Sequence, residues 1–169
     1  LRATLEGEEL RRSYSICSGV DDNEIRVAIK KVGGGKFSLW AHEALKAGDQ
    51  IDVMTPEGRF FTALDSAKGK HYAAFVAGSG ITPVLSLIRT TLAREPKSRF
   101  TLVYGNRRQS SVMFHEALED LKDRYLTRFR LYNVFSREAQ EVELFNGRID
   151  AAKVNQFLES LVPLDTIDE

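Results

Sequence analysis

The chain has 169 residues, of which 43% are hydrophobic and 28% charged, with 24 Lys+Arg against 24 Asp+Glu. That apolar content supports a packed core and excludes a dominantly disordered chain. The zero formal net charge argues against a whole-chain basic field for nucleic acid or an anionic membrane. The lone cysteine, Cys17, excludes a disulfide framework and a thiolate-held zinc or iron–sulfur site within this chain. Its usage points to a reducing compartment, the cytoplasm. No apolar run is long enough to span a bilayer. The chain opens at Leu1 in strand-like sequence and closes on residues 165–169 without finishing its last pattern, as a piece of a longer protein would.

The first third reads as short strands and turns. Residues 11–18 are a compact mixture of polar and apolar side chains. Residues 24–32 alternate, with Ile25, Val27 and Ile29 on one side, which predicts a half-buried strand. Gly33, Gly34 and Gly35 break it. Residues 38–47 predict a short helix with Ser38 as N-cap and Gly48 as its stop. Residues 50–54 predict another strand, closed by Pro56 and Gly58. Together they predict a small antiparallel barrel.

From residue 68 the pattern changes to alternating strands and helices. Strands are expected at 71–77, 99–104 and 129–135. Helices are expected at 82–94, 112–125 and 150–161, the last capped by Asp150. This order predicts a parallel sheet. The expected division is an antiparallel domain at 1–67 and an α/β domain at 68–169.

Three motifs stand out. Gly78-Ser79-Gly80-Ile81-Thr82-Pro83 follows a buried strand and opens a helix. Free N–H groups and the helix dipole favour an anion there, such as a dinucleotide pyrophosphate. An ordinary tight turn is the plain alternative. Arg12-Ser13-Tyr14-Ser15 offers a cation, an aromatic plane and hydroxyls. In a regular strand, Arg12 and Tyr14 would face away from Ser13 and Ser15. Gly35-Lys36-Phe37-Ser38 is a glycine turn into a helix start, a second anion site or a plain N-cap. Their co-occurrence in one short chain strengthens each. His42, His71 and His115 are scattered and show no metal-ligand spacing.

In this order and spacing, RxYS, GxxS and GSGITP resemble the ferredoxin–NADP reductase superfamily over nearly the whole chain. Tyr104-Gly-Asn-Arg107, Met113-Phe114, Ser136-Arg-Glu138 and Gly147-Arg-Ile-Asp150 are similar to its oxygenase-reductase branch. The resemblance implies an incomplete flavin-binding antiparallel barrel followed by an incomplete nucleotide-binding α/β domain. It implies a flavin-dependent NAD(P)H oxidoreductase that passes electrons through FAD to an iron–sulfur centre and on to a partner oxygenase of aromatic degradation. By the same resemblance Arg12 would neutralise the FAD pyrophosphate, Tyr14 would stack on the isoalloxazine, and Ser15 would bond near flavin N5. Ile29 and Lys30 would meet the flavin through their main chain. Gly35, Phe37 and Ser38 would hold the FAD phosphates. Gly78, Gly80, Thr82 and Pro83 would line the nicotinamide side. Tyr14, Ser15 and Thr82 are the residues implied at the hydride step. FAD is preferred to FMN because GxxS accompanies RxYS.

Residues 96–115 carry Arg107, Arg108 and Ser110 and no acidic residue, which favours NADPH over NADH. A solvated basic loop is the competing account. The family also carries further barrel strands, a Cys-Gly-Pro strand and, in this branch, a four-cysteine ferredoxin module. None is in this sequence, so the [2Fe-2S] centre would belong to another module, and weak flavin retention is expected of this chain alone. A non-catalytic nucleotide-binding or interaction module with the same fold is the other reading.

Overall fold

A computed structural model describes all residues, 1–169. Strands β1 (Arg2–Leu5) and β2 (Glu8–Arg11) form an antiparallel hairpin with Leu5 opposite Glu8. The turn at Glu6-Gly7 has positive φ at both central residues, the form whose twist matches the flanking strands. The rest of the antiparallel part differs from the sequence expectation. Residues 24–32 do not form a strand; they touch a partner at one bridge, Ile16 with Val27, beside the bond from Cys17 N–H to Arg26 O. Alternation marks a segment able to cover a face, but a strand also needs neighbours to complete its ladder. With one bridge, Ile25 stays 76% exposed. Residues 50–54 likewise reduce to one bridge, Arg2 with Asp52, reinforced by their ion pair at 2.7 Å.

Helix α1 (Lys36–Glu43) starts two residues earlier than expected and ends four earlier. Gly35, not Ser38, is its N-cap. The Ser38 hydroxyl lies inside the helix, donating back to Gly35 O at 3.0 Å and accepting from Val32 N–H at 3.2 Å. A serine competes for nearby backbone in this way, and here it closes the 32–35 turn. Beyond Glu43 the chain turns at 46–49, where Asp49 accepts from Lys46 N–H at 2.7 Å.

The second part follows the expected order: β3 (His71–Ala77), α2 (Ile81–Arg94), β4 (Arg99–Asn106), α3 (His115–Arg124), β5 (Phe129–Phe135) and α4 (Ala151–Ser160). The sheet is parallel in the order β3-β4-β5. Alternate residues of β4 face opposite layers. Phe100, Leu102 and Tyr104 pack with Ile81, Leu85 and Ile88 of α2 and with Leu118 of α3. Val103 packs with Val134 and Phe157 of α4. Helix α3 begins three residues late because Phe114 sits in the left-handed region at φ 60, and residues 109–111 form a separate 3-10 turn. Asp150 caps α4 through Lys153 N–H at 2.9 Å, as its sequence position predicts. The tail runs along the outer edge of β3, with Ala73 N–H bonded to Glu169 O at 2.9 Å. No helix is long and apolar enough to cross a membrane.

A loop at residues 18–22 clasps α2 and joins the two parts. Ser86 donates to Ser18 O at 2.7 Å, Val20 N–H to Thr90 at 3.2 Å, and Arg89 to Asp22 at 2.8 Å; Arg94 pairs with Asp21. Asp22 is held below the usual carboxylate range, chiefly by Gly19 N–H and then by Arg89. Gly19 makes the closest approach: a Cβ there would lie 2.9 Å from Arg89 Cβ. Gly19→Ala is therefore expected to destabilise the protein by about 1–3 kcal/mol through overpacking. Thermal denaturation of the variant checks this, and an unchanged Tm contradicts it.

Candidate active site

The segment leaving β2 is irregular from residue 12 to 15 before the bridge at Ile16. A regular strand would divide its side chains between two faces. The irregular backbone instead brings Arg12, Ser13, Tyr14 and Ser15 to the same cavity, of about 430 Å³. Its other walls are Ala28, Lys30 and Val32, the α1 start with Gly35, Lys36, Phe37 and Ser38, and Ser79 and Thr82 from the glycine turn. The antiparallel part and the α/β part thus share one site.

Tyr14 is half-buried, and its ring lies 5.9 Å from that of Phe37. Phe37 is itself buried and packs edge-on against Trp40 at 5.3 Å. Phe37 therefore backs the Tyr14 ring and Trp40 braces Phe37 in turn, and burial raises the Tyr14 phenol above the ordinary range. A neutral aromatic plane results. Arg12 is exposed and has no carboxylate partner; its guanidinium donates to Arg11 O at 2.7 Å. Lys36 is partly neutralised by Glu8 at 2.8 Å.

On the opposite wall, β3 ends at Ala77 and residues Gly78–Gly80 turn directly into α2. Gly78 has φ +53, a conformation that side chains with a Cβ adopt at a cost. Its carbonyl accepts from the buried Tyr104 hydroxyl at 2.9 Å, which ties the turn to β4. Thr82 donates to Ser79 O at 3.1 Å. Lys30 Nζ reaches to 3.9 Å from where a Gly78 side chain would start.

The donor set fits a flavin dinucleotide: an unpaired guanidinium for a phosphate, a supported aromatic plane for a ring, and neutral hydroxyls beside it. Ser38 contributes less directly, because its hydroxyl is committed to the 32–35 turn. Gly78, Gly80 and Pro83 are not on the cavity wall, and Pro83 is the third residue of α2. Ile29 is also off the wall, and its carbonyl contacts His42 Nε2 at 2.6 Å. Arg107, Arg108 and Ser110 lie apart from this cavity, beyond the carboxyl end of β4. Ser79 and Lys36 stand inside the motifs read from sequence but have no role assigned there, and the structure puts both on the cavity wall. Tyr104 was visible only as part of a resemblance motif, because its reach to Gly78 depends on strand register. Cys17 is buried, and burial pushes its thiol up, away from the reactive thiolate form.

Two family models match the chain: an oxidoreductase FAD-binding domain over residues 1–62 and an oxidoreductase NAD-binding domain over residues 75–168. The chain is 46% identical over all 169 residues to a subunit of 1,2-phenylacetyl-CoA epoxidase from Escherichia coli, covering 48% of that protein. It is 37% identical over 116 residues, 68% of this chain, to the ferredoxin reductase component of 3-ketosteroid-9-alpha-monooxygenase of Mycobacterium tuberculosis, covering 31% of it. The chain therefore spans about half or less of the length of these relatives. Its fold is similar to the flavohem-like FAD/NAD-binding domain of nitric oxide dioxygenase from Vibrio cholerae, with a TM-score of 0.76 and 22% identity over 98% of this chain and 79% of that one. The two matched models, placed on the two walls of one cavity, show that this chain belongs to the FAD- and NAD-binding oxidoreductases of the ferredoxin–NADP reductase superfamily.

Proposed function

We propose that this chain is the flavin- and nucleotide-binding part of a reductase that oxidises NADPH and delivers electrons, through an iron–sulfur centre on another module, to a partner oxygenase acting in phenylacetyl-CoA degradation. The observation that carries this reading is the convergence of Arg12, Tyr14 and Ser15 with Ser79 and Thr82 on one cavity. The E. coli relative's name supports the pathway, and the mycobacterial relative's name supports a reductase serving an oxygenase. We place the boundary of the two domains between residues 67 and 68.

When bound, FAD supplies the acceptor for a hydride and the donor of single electrons. The residues of this chain hold and orient. Arg12 offsets phosphate charge, and Tyr14, braced by Phe37, presents a flat surface to a ring. Ser15 and Thr82 approach from opposite walls with uncharged hydroxyls. Hydride transfer needs contact geometry and no strong acid or base, so positioning is the main contribution of such groups. Arg107 and Arg108 make no ion pair and are the groups we assign to a ribose 2′-phosphate, with Ser110 beside them.

Adding NADPH and, separately, NADH to the FAD-loaded protein under anaerobic conditions tests the reading. Bleaching of the flavin absorbance, faster with NADPH, is expected. A protein that binds FAD but is not bleached by either nucleotide is a binding module and overturns it.

A further inference from the structure

We propose that Glu138 is a positioning residue for recognition of the nucleotide's 2′-phosphate; this rests on the NADPH reading above. Past their strand ends, β4 and β5 continue side by side: Ser136 N–H donates to Asn106 O at 3.0 Å and Arg137 N–H to Arg107 O at 2.9 Å. This places Arg107, Arg108 and Arg137 together at the carboxyl edge of a parallel sheet, where open α/β folds receive their ligands. None of the three guanidiniums has a carboxylate within ion-pair distance. Glu138 follows directly, yet its carboxylate does not neutralise them. It accepts instead from Gln109 N–H at 3.2 Å, at the start of the 109–111 turn.

That turn is already closed on itself. Arg108 N–H donates to the Ser111 hydroxyl at 3.1 Å, and that hydroxyl donates back to Arg108 O at 2.7 Å. Gln109 reaches forward to His115 at 3.3 Å. Glu138 supplies the side-chain tie from this exposed loop to the β5 side. An exposed loop carrying two cations loses affinity for a doubly charged group if it must be ordered on binding. By engaging a backbone N–H, Glu138 orders the loop while leaving every guanidinium free.

The test compares wild type, Glu138→Ala and Glu138→Gln in the FAD-loaded protein. The readouts are KM and kcat for NADPH and NADH, and calorimetric binding of 2′-phospho-AMP against 5′-AMP. Loss of one hydrogen bond from the alanine variant is expected to raise KM for NADPH about fivefold. Its kcat and its KM for NADH stay near wild type, and 2′-phospho-AMP binding weakens while 5′-AMP binding does not. The glutamine variant restores NADPH binding, because its amide oxygen still accepts from Gln109 N–H. An alanine variant that weakens both nucleotides alike shows a merely structural role and overturns the inference. So does an improved KM for NADPH in both variants, which would mean that the carboxylate opposes the phosphate. If wild type binds 2′-phospho-AMP no better than 5′-AMP but is still reduced by NADH, the NADPH reading itself falls and this inference falls with it.

Discussion

Gly78→Val is expected to lower kcat/KM for the nicotinamide nucleotide about a hundredfold while leaving the FAD content of the protein unchanged. The residue has φ +53. A β-branched side chain in the left-handed region is strained by about 1–2 kcal/mol. The strain is relieved by moving the turn, which breaks the 2.9 Å bond from Tyr104 to Gly78 O and shifts the start of α2. A displacement of about 1 Å in a positioned site costs on the order of a hundredfold in rate. The displaced turn carries only Ser79 and Thr82 of the cavity lining, while Arg12, Tyr14, Ser15 and the α1 start lie on the other wall and stay in place, so flavin binding is spared. Steady-state kinetics together with the flavin-to-protein absorbance ratio check both halves of the expectation. Equal loss of flavin and activity would contradict it.

Glu95→Ala is expected to destabilise the protein by about 3 kcal/mol at neutral pH. Glu95 is fully buried at the end of α2. Its carboxylate accepts from Ser98 at 2.6 Å, Asp65 N–H at 2.7 Å and Tyr72 at 3.0 Å. Burial alone pushes the carboxyl up, but these three donors together outweigh it and hold Glu95 below its ordinary value. Removing it leaves three donors unpaired. It also frees Asp65, through which the segment between the two parts is fastened to α2.

The sign of the acid dependence follows from that depressed value. The stabilisation is fully present above the unfolded carboxylate pKa of about 4.3 and is lost as pH falls through the lower folded value. Glu95→Gln keeps the volume and one acceptor but has no charge to lose. Urea unfolding of wild type and Glu95→Gln at neutral pH and at acid pH should show the gap between them narrowing in acid. A gap that widens in acid would refute this account.

The α/β half was legible because each of its elements carries its own signal. The apolar run 71–77 needs only burial on two faces to become a parallel strand, and β3 has those bounds. Asp150 announces the start of α4 by a local bond to Lys153 N–H. The antiparallel half was less legible. Ile25, Val27 and Ile29 alternate correctly, yet the segment meets only one bridging partner. Ser38 looks like a cap from its neighbours, but its hydroxyl was claimed by Val32 and Gly35 across a turn.

The site shows the same division. Arg12, Tyr14, Ser15 and the glycine turn were nameable as residue types suited to phosphate and ring binding. Whether they share a cavity was not, since a regular strand would have split Tyr14 from Ser15. The acidic residue near the Arg107–Arg108 loop was also invisible locally, because Glu138 is 29 positions away from Gln109 in the chain.

The amino-acid sequence by itself determined the order of strands and helices in the second half, the glycine turn between β3 and α2, and the chemistry of the cavity-lining side chains, because these depend on local periodicity, capping and residue type. Only the tertiary structure decided which segments of the first half are paired, that the loop at 18–22 clasps α2, and that Tyr104, Glu95 and Glu138 tie distant segments together. Those contacts depend on strand register and on which backbone groups are left free after packing, and both are settled by the whole chain at once.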